Sequence, residues 1–224
     1  MPHHLEVIAF DVIETLFSIE PLEQRLRSVG LPSGMLKSFF AAMLRDAFAL
    51  DAAGTPKTFQ EVARSALEVL MATHGVESHE AAVTTVLQGF TELPAHGDVR
   101  RALETVHAAG VRIATLTNGS AANTRKLLKS GGVQDLVEKV VSVEETSHWK
   151  PRVEVYLHAA TQCGVERSRM ALIAAHAWDT HGAKRAGLVT GWVQRRDKSY
   201  MSAMDAPDVA GTSLTEVVTA LLAK

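Results

Sequence analysis

The sequence predicts an α/β fold in which a doubly wound parallel sheet carries an inserted helical domain. First, the apolar run Val7–Phe10 is typical of a strand buried in a parallel sheet, and it ends on Asp11. Second, helical and strand patterns alternate from Asp98 to the end of the chain, as in βαβ units. Third, the stretch between these two regions carries helical patterns throughout.

The composition is that of an ordinary globular protein. The chain has 224 residues, of which 46% are apolar and 21% charged, enough for a core domain and a smaller module. Its net charge is −2 and it has no block of Lys and Arg, so it lacks the basic field that attracts nucleic acids and anionic membranes. We therefore expect a small-molecule substrate, with neither nucleic acid nor membrane as a partner.

Cysteine content and the N-terminal residues favour a cytoplasmic location. Cys163 is the only cysteine, so no internal disulfide can form, and Met1–His4 lack the basic and apolar regions of a signal peptide. No apolar run approaches the ~20 residues that span a bilayer. The histidines lack the spacing of a metal site, so we expect no zinc and no other cofactor.

The inserted segment, residues 18–96, is predicted to consist of consecutive helices with short links. Thr58 and Glu61 have the spacing of a capping box, which marks the start of one of them. The predicted helices cover Pro21–Val29, Ser33–Leu50, Thr58 to about His74, and Ser78 to about Phe90. The remaining residues, 1–17 and 97–224, form the predicted α/β core. Because the insertion leaves just after Asp11 and returns at Asp98, we expect it to cover the ligand crevice as a cap.

The core pattern after Asp98 supplies four more strands and the helices that connect them. Pro151 suits the first turn of a helix that ends at Gly164, and Ser213 with Glu216 marks the start of the terminal helix. The predicted strands are Val111–Leu116, Val140–Val143, Met170–Ala174 and Val189–Gln194. The last of these is the final clear strand.

Polar residues follow several of these strands. Four groups lie where a predicted strand ends: Asp11, Thr117 with Asn118, the loop of Lys150, and Asp179. In a doubly wound sheet the carboxyl ends of the strands meet at one edge, and ligands bind there. These residues are therefore expected to share one crevice.

The same residues carry a resemblance to a known family. Four segments carry it, which are Asp11 with Thr15, Thr117-Asn118-Gly119, Lys150-Pro151 with Tyr156, and the stretch from Ala175 to Ala183. In this order they resemble the four motifs of the haloacid dehalogenase superfamily. The resemblance covers almost the whole chain and implies a Rossmann-like core with a helical cap. Within the superfamily the chain is most similar to the (S)-2-haloacid dehalogenases, through Ala177-Trp178-Asp179 followed by Gly182-Ala183, and through Met43-Leu44-Arg45 in the cap.

That resemblance implies hydrolytic dehalogenation of short (S)-2-halocarboxylic acids to (R)-2-hydroxy acids, without a metal and through an ester on Asp11. It also implies a homodimer, which nothing in the composition tests. Asp11 is the implied nucleophile, Thr15 and Thr117 hold it by hydrogen bonds, Lys150 keeps it ionised, and Asp179 orients or deprotonates the water. The residues implied in contact with substrate or halide are Arg45, Asn118, Phe59, Tyr156, His176 and Trp178.

Each of these side chains also has a purely structural interpretation. Arg45 beside Asp46 is compatible with a surface arginine, and Lys150 with a solvated lysine. Asn118 suits a turn before Gly119. Tyr156, Phe59 and Trp178 are equally typical of core packing.

The chain departs from the dehalogenases at four positions. His176 stands where they have asparagine, Ala174 where they have serine, Glu14 where they have glycine, and Ile13 where they have an aromatic residue. These changes affect the predicted substrate more than the predicted mechanism. A histidine beside Asp179 is open to three interpretations: a buried imidazole with its bonds satisfied, a base for water, or a binder of carboxylate when protonated.

Two classes of alternative to a dehalogenase stay open, and the first is a phosphatase or another small-molecule hydrolase of the superfamily. The magnesium phosphatases of the superfamily need an acid two residues after the nucleophile and a further acidic metal ligand, but these positions are Ile13 and Ala175. The other alternative is a binding protein that kept the fold and lost catalysis. Asp11, Lys150 and Asp179 together argue against it, while Ala174 and His176 keep it open.

Overall fold

The computed structural model describes residues 5–224, which fall into two compact units. One unit takes in the chain up to Phe17 and then Ala95–Lys224, and the other is Ser18–Pro94. Inside the first unit, Phe17 forms an antiparallel bridge with Ala95, and His96 N–H donates to Leu16 C=O at 2.9 Å. These bonds join the two points where the chain leaves and re-enters the unit. Met1–His4, on which the expectation of no signal peptide was based, lie outside the described residues.

The first unit is built on a parallel sheet, which confirms the predicted α/β class. Within residues 5–224 the sheet has six strands in the order β3-β2-β1-β4-β5-β6, and every neighbouring pair is parallel. Strand β1 is fully buried, as its apolar run predicts. The strands are β1 Val7–Phe10, β2 Arg112–Thr117, β3 Lys139–Ser142, β4 Met170–Ala174, β5 Val189–Val193 and β6 Val209–Gly211.

The second unit is helical. Its helices are α1 Leu22–Ser28, α2 Met35–Ala52, α3 Phe59–Thr73 and α4 Glu80–Gln88, followed by a 3₁₀ turn at Gly89–Thr91. The capping box at the start of α3 forms as predicted, since Thr58 accepts from Glu61 N–H and the Glu61 carboxylate accepts from Thr58 N–H. Inside this unit the ring of Phe90 lies 5.1 Å from that of Phe59, edge to face.

Two pairs of helices accompany the sheet. The first pair packs with alternate residues of β1, such as Val7 and Ala9, in one buried apolar cluster that includes Ala159 and Ala183. The second pair packs together beside β2, β5 and β6. The helices of this unit are α5 Val99–Ala108, α6 Ala121–Ser130, α7 Val153–Cys163, α8 Ala177–Ala186 and α9 Leu214–Leu222, and the two pairs are α7 with α8 and α5 with α9.

Three local expectations need correction. Strand β6 was not predicted, because it has only three residues and none of them is buried. Helix α7 begins at Val153, so Pro151 precedes the helix instead of occupying its first turn. At α9, Ser213 caps Glu216 N–H as expected, but the Glu216 carboxylate accepts from Thr212 N–H, one residue before the cap.

The register of the sheet brings the predicted site residues to one edge. Phe10 pairs with Thr115 on one side and with Ile173 on the other. The residues that follow β1, β2 and β4 therefore start at the same level. Among the described residues, no helix is both long and apolar enough to cross a membrane.

Candidate active site

Asp11 follows β1 and has a partner on each carboxylate oxygen. Lys150 Nζ lies 2.7 Å from Oδ1, and the hydroxyl of Thr15 donates to Oδ2 at 2.7 Å. The Thr15 hydroxyl in turn accepts from Ala175 N–H at 2.9 Å, which fixes its direction. Burial would raise the pKa of Asp11, but the charges of Lys150 and His176 outweigh it and hold the pKa well below its usual range. Asp11 is therefore an ionised and oriented carboxylate.

Lys150 is fully buried and joins two carboxylates. Its ammonium donates to Asp11 Oδ1 at 2.7 Å, to Asp179 Oδ2 at 2.6 Å and to Leu116 C=O at 2.9 Å. These bonds use all the donors that an ammonium carries. Burial would lower the pKa of Lys150, but the charges of Asp11 and Asp179 outweigh it and raise the pKa. Lys150 is thus a fixed cation between two acids, not a solvated lysine.

Asp179 lies in the first turn of α8 and is also fully buried. Besides Lys150 on Oδ2, it accepts a bond of 2.7 Å from the Tyr156 hydroxyl on Oδ1. Burial raises the pKa of Asp179, the charge of Lys150 opposes this, and the charge of Asp11 adds to it. The two acids around Lys150 are therefore driven apart in pKa, which is the arrangement that separates a nucleophile from a base.

Tyr156 and Trp178 occupy different surroundings. The Tyr156 ring is completely buried, so within this unit it reaches the site through Asp179. Trp178 is only half-buried, its ring stacks on that of His176 at 5.2 Å, and Lys150 Nζ lies 6.0 Å from the ring centroid. Trp178 thus lies beside the charged cluster, and its role in a substrate wall stays a prediction.

The turn after β2 holds Thr117 and Asn118. The Thr117 hydroxyl accepts from Gly119 N–H at 2.9 Å, and its expected hydrogen bond to Asp11 stays a prediction. Asn118 Oδ1 accepts from Lys150 N–H at 2.9 Å. Because that oxygen is committed to the backbone, the amide NH₂ is the end of Asn118 that remains to face an anion.

His176 and Glu14, two departures from the family pattern, lie together beside the nucleophile. His176 Nδ1 is 3.8 Å from Asp11 Oδ2, and Nε2 is 3.4 Å from Glu14 Oε2. Arg196 Nη1 donates to the other oxygen of Glu14 at 2.9 Å. Burial would lower the pKa of His176, but the nearby carboxylates of Asp11 and Glu14 outweigh it and raise the pKa to about 9.

Glu14 adopts a backbone conformation that favours glycine. Its φ is +70°, in the left-handed region, where a side chain with a Cβ is strained. The turn is held by Glu14 N–H, which donates to Phe17 C=O at 2.7 Å, and by Glu14 C=O, which lies 3.1 Å from His96 Nε2. The glycine that the family has here suits this conformation, so the glutamate is kept at a cost in strain.

Arg45 and Phe59 belong to the helical unit. Arg45 lies on α2, its side chain is 72% exposed, and it pairs with the adjacent Asp46 at 2.7 Å. Phe59 is half-buried at the start of α3, against Phe90. Their role in substrate binding stays a prediction.

The positions that would complete a phosphatase metal site have no oxygen ligand on their side chains. Ile13 and Ala175 are both buried and apolar. Throughout residues 5–224, His, Cys, Asp and Glu do not gather in any group of three suited to a metal ion. The donor set around Asp11 thus lacks the acids that hold magnesium in a phosphatase.

Two arginines of the site were not predicted from the sequence. Arg196 binds Glu14, and Arg195 binds Asp98 at 2.8 Å and Thr15 C=O at 3.1 Å. Both follow β5, at the same edge of the sheet as the acids. Their position after a strand could have indicated that the two arginines belong to the site, but none of the four motifs includes them.

Comparison with known proteins supports the resemblance seen in the motifs. The sequence profile described as haloacid dehalogenase-like hydrolase matches residues 5–187. An (S)-2-haloacid dehalogenase from Pseudomonas sp. strain YL is 24% identical over 217 residues, covering 96% of this chain and 94% of that protein. Haloacetate dehalogenase H-2 from Moraxella sp. strain B is 25% identical over 211 residues, covering 91% and 92%.

A solved structure shows that the fold is shared as well. The L-2-haloacid dehalogenase from Xanthobacter autotrophicus, with chloropropionic acid covalently bound, superposes with a TM-score of 0.87 at 20% identity, covering 96% of this chain and 97% of that one. The predicted family is therefore confirmed by a profile that spans most of the chain, by relatives of similar length and by the common fold. The chain belongs to the haloacid dehalogenase-like hydrolases.

Proposed function

We propose that the protein hydrolyses the carbon–halogen bond of a short (S)-2-halocarboxylic acid. The observation that carries this proposal is Lys150, which binds Asp11 and Asp179 in a buried cluster, while position 13 holds Ile instead of an acid. A halide leaves as a stable anion and needs no proton, whereas an alkoxide leaving group does. The cluster thus has a nucleophile and a base, while position 13 lacks the acid that the phosphatases use to protonate an alkoxide leaving group.

In the first step, a carboxylate oxygen of Asp11 attacks C2 and the carbon–halogen bond breaks, with its electron pair leaving on the halide. Attack from the side opposite the halide inverts C2, so an (S)-2-halo acid yields the (R)-2-hydroxy acid. The chloropropionic acid covalently bound in the Xanthobacter structure supports a covalent intermediate, which we assign here to an ester on Asp11. We assign the Asn118 amide and Arg45 to the halide, and Trp178 and Phe59 to the apolar wall.

In the second step, water attacks the carboxyl carbon of the Asp11 ester and the hydroxy acid departs. Asp179 is the assigned base, because its raised pKa suits proton acceptance and Tyr156 with Lys150 fixes its orientation. Each of its oxygens accepts one protein hydrogen bond and keeps a further lone pair for a water proton. Of the two water protons, Asp179 accepts one and returns it to the departing product hydroxyl, and the other is released.

The test is a substrate panel with and without magnesium and with a chelator. Both enantiomers of 2-chloropropionate, fluoroacetate and an aryl phosphate are incubated with the protein, and halide and phosphate are measured. We expect halide release from the (S)-acid that survives the chelator. Magnesium-dependent phosphate release would instead show a phosphatase, and no release from any compound would favour a binding protein. A cytoplasmic location and a homodimer are expected alongside this activity, and sedimentation measures the latter.

A further inference from the structure

The loop after β1 and the loop after β4 each contribute one residue to a pair that faces the nucleophile. Glu14 comes from the first loop and His176 from the second, and His176 lies between Glu14 and Asp11, 3.4 Å and 3.8 Å away. The His176 side chain is only 14% exposed and the Glu14 side chain 8%. The pair therefore lies where water screens charge poorly.

The geometry bears on the protonation state of His176. Nε2 faces a carboxylate oxygen of Glu14, and Nδ1 faces one of Asp11. A neutral imidazole has one N–H and one lone pair, so in either tautomer a lone pair would point at a carboxylate. Only the imidazolium presents a proton to both acids.

The charges around the pair also balance with a protonated histidine. The cluster holds three acids, Asp11, Glu14 and Asp179, and two permanent cations, Lys150 and Arg196. An imidazolium makes the third cation. His96 lies against the Glu14 backbone carbonyl, and the N-terminus of α8 begins after His176 and opposes a positive charge there. Burial opposes it as well, but the nearby carboxylates of Asp11 and Glu14 outweigh burial and raise the pKa of His176 to about 9.

The strained backbone of Glu14 is a second, independent observation. An acidic side chain is held at φ +70° and anchored by Arg196 at 2.9 Å, although glycine would be free of the strain. A strained backbone of this kind persists where surrounding contacts fix it, and such residues cluster at active sites. The contact that Glu14 makes toward the nucleophile is the one with His176.

We propose that Glu14, anchored by Arg196, is a positioning residue that keeps His176 doubly protonated, and that His176 stabilises the oxyanion formed on Asp11 during hydrolysis of the ester. This inference rests on the proposed function. When water attacks the carboxyl carbon, the carbonyl electron pair moves onto Oδ2. That oxygen already accepts from Thr15 at 2.7 Å and faces His176 Nδ1 at 3.8 Å. Collapse restores the carbonyl and breaks the bond between the carboxyl carbon and Oδ1. Oδ1 departs beside Lys150 as the hydroxyl oxygen of the product and takes up the proton that Asp179 removed from the water.

The role is specific to the second step. In the ester, Asp11 has lost its negative charge, so the imidazolium is no longer neutralised by it and is available to the developing oxyanion. Loss of the imidazolium should therefore slow ester hydrolysis more than ester formation. A merely structural role would slow both steps or destabilise the protein.

The experiment separates the two steps in single turnovers with enzyme in excess. Halide release reports ester formation, and intact-protein mass spectrometry follows the Asp11 adduct. For Glu14→Gln we expect halide release to change less than about twofold and adduct decay to slow roughly tenfold, so the adduct accumulates. Raising the pH through about 9 should likewise slow adduct decay in the unaltered protein, because His176 then loses its second proton. Glu14→Asp, which keeps the charge and tolerates a left-handed backbone, should restore part of the decay rate.

The control is Glu104→Gln, the same change at an exposed glutamate that pairs with Arg100 at 3.0 Å on α5. It should leave both steps unaltered. Nitrogen NMR of the ring, assigned by comparison with His176→Asn, measures the protonation of His176 without any substrate. A neutral His176 at pH 7 would overturn the inference, and so would unchanged adduct decay in Glu14→Gln. Absence of halide release from the unaltered protein would instead count against the proposed function, and the NMR result would still decide the charge of His176.

Discussion

The Tyr156 hydroxyl donates to Oδ1 of Asp179 at 2.7 Å, on the opposite side of the carboxylate from Lys150. Both residues are fully buried. Burial and the neighbouring Asp179 hold the pKa of Tyr156 well above its usual range, so the hydroxyl remains a donor.

We expect Tyr156→Phe to leave a buried carboxylate oxygen without its donor. The free energy of unfolding should fall by about 1–3 kcal/mol, and ester hydrolysis should slow because Asp179 loses its orientation. Urea unfolding and single-turnover decay measure the two effects. Tyr200→Phe is the matched control, because the Tyr200 hydroxyl binds Thr180 and Asp205 outside the charged cluster. Equal effects of the two changes would contradict the role assigned to Tyr156.

Gly182 on α8 allows the Pro151 loop to approach the helix. A Cβ at this position would lie 2.6 Å from Pro151 Cβ and 2.7 Å from the Tyr156 hydroxyl oxygen. Alanine gains about 1 kcal/mol in helix propensity, but overlap of this kind costs about 1–3 kcal/mol. The overlap also includes the rigid Pro151 carbonyl at 2.8 Å.

We therefore expect Gly182→Ala to lower both stability and turnover, since it displaces the residues that hold Asp179. Thermal unfolding and halide release provide the measurements. Gly97→Ala is the control, because Gly97 is exposed and a Cβ there would meet no atom within 4 Å. If Gly182→Ala were as stable and active as Gly97→Ala, the close approach of the Pro151 loop to α8 would contribute to neither stability nor activity.

The edge on which Asp11, Lys150 and Asp179 meet could be predicted because it follows from topology alone. Parallel strands end on one side, and the three residues lie directly after β1, in the loop after β3 and in the helix after β4. The motifs then added Thr15 and Tyr156, whose hydroxyls bind the two acids.

Other parts of the site depend on turns that the pattern of apolar residues does not describe. The meeting of Glu14 and His176 requires a left-handed residue in the turn after Asp11, where the sequence shows a glutamate. The Thr117 hydroxyl accepts from Gly119 N–H within the turn itself, a bond that the motif did not indicate. Arg196 binds Glu14 across a separation of 182 residues, which no local spacing indicates.

Arg45 is the residue for which resemblance and local structure give different expectations. Its exposed pair with Asp46 is worth little to stability, so Arg45→Ala should leave the unfolding free energy unchanged within about 0.5 kcal/mol. If Arg45 receives the halide, kcat for displacement should fall roughly a hundredfold, or about 3 kcal/mol, with a smaller change in KM. Rapid-quench halide release measures this, with Arg64→Ala on α3 as a control that also breaks exposed ion pairs. An unchanged kcat would leave Arg45 as a surface residue.

His176 should make stability depend on pH in a defined direction. Its pKa is about 9 in the folded protein, above the ordinary value of 6.5, so the folded state binds its proton more tightly. The resulting stabilisation is complete below about pH 6.5 and is lost as the pH rises through about 9. At ~1.4 kcal/mol per pH unit its upper limit is on the order of 3 kcal/mol.

We therefore expect the stability difference between the unaltered protein and His176→Asn to shrink between pH 6.5 and 9. Urea titrations at intervals across this range give the difference. His107→Asn, at an exposed position on α5, is the control for loss of a histidine outside the cluster. A difference that stayed constant with pH would mean that His176 carries the same charge in the folded and unfolded protein.

The last prediction concerns the path of oxygen from water to product. If Asp11 is the nucleophile, its own carboxylate oxygen leaves with the hydroxy acid, because water attacks the carboxyl carbon and not C2. A single turnover in heavy-oxygen water with enzyme in excess should therefore give unlabelled product and a labelled peptide containing Asp11. Mass spectrometry of both species measures this, and later turnovers should pass the label into the product.

The competing mechanism is direct attack on C2 by a water that Asp11 or Asp179 activates as a general base. The buried cluster would supply the same charges for that route, so geometry alone does not separate the two. In that case the first product would carry the label and the Asp11 peptide would not, which excludes the ester whatever the substrate. Asp11→Asn disables both routes and is uninformative here, whereas Glu14→Gln, by delaying ester hydrolysis, should delay labelling of the Asp11 peptide without changing which oxygen reaches the product.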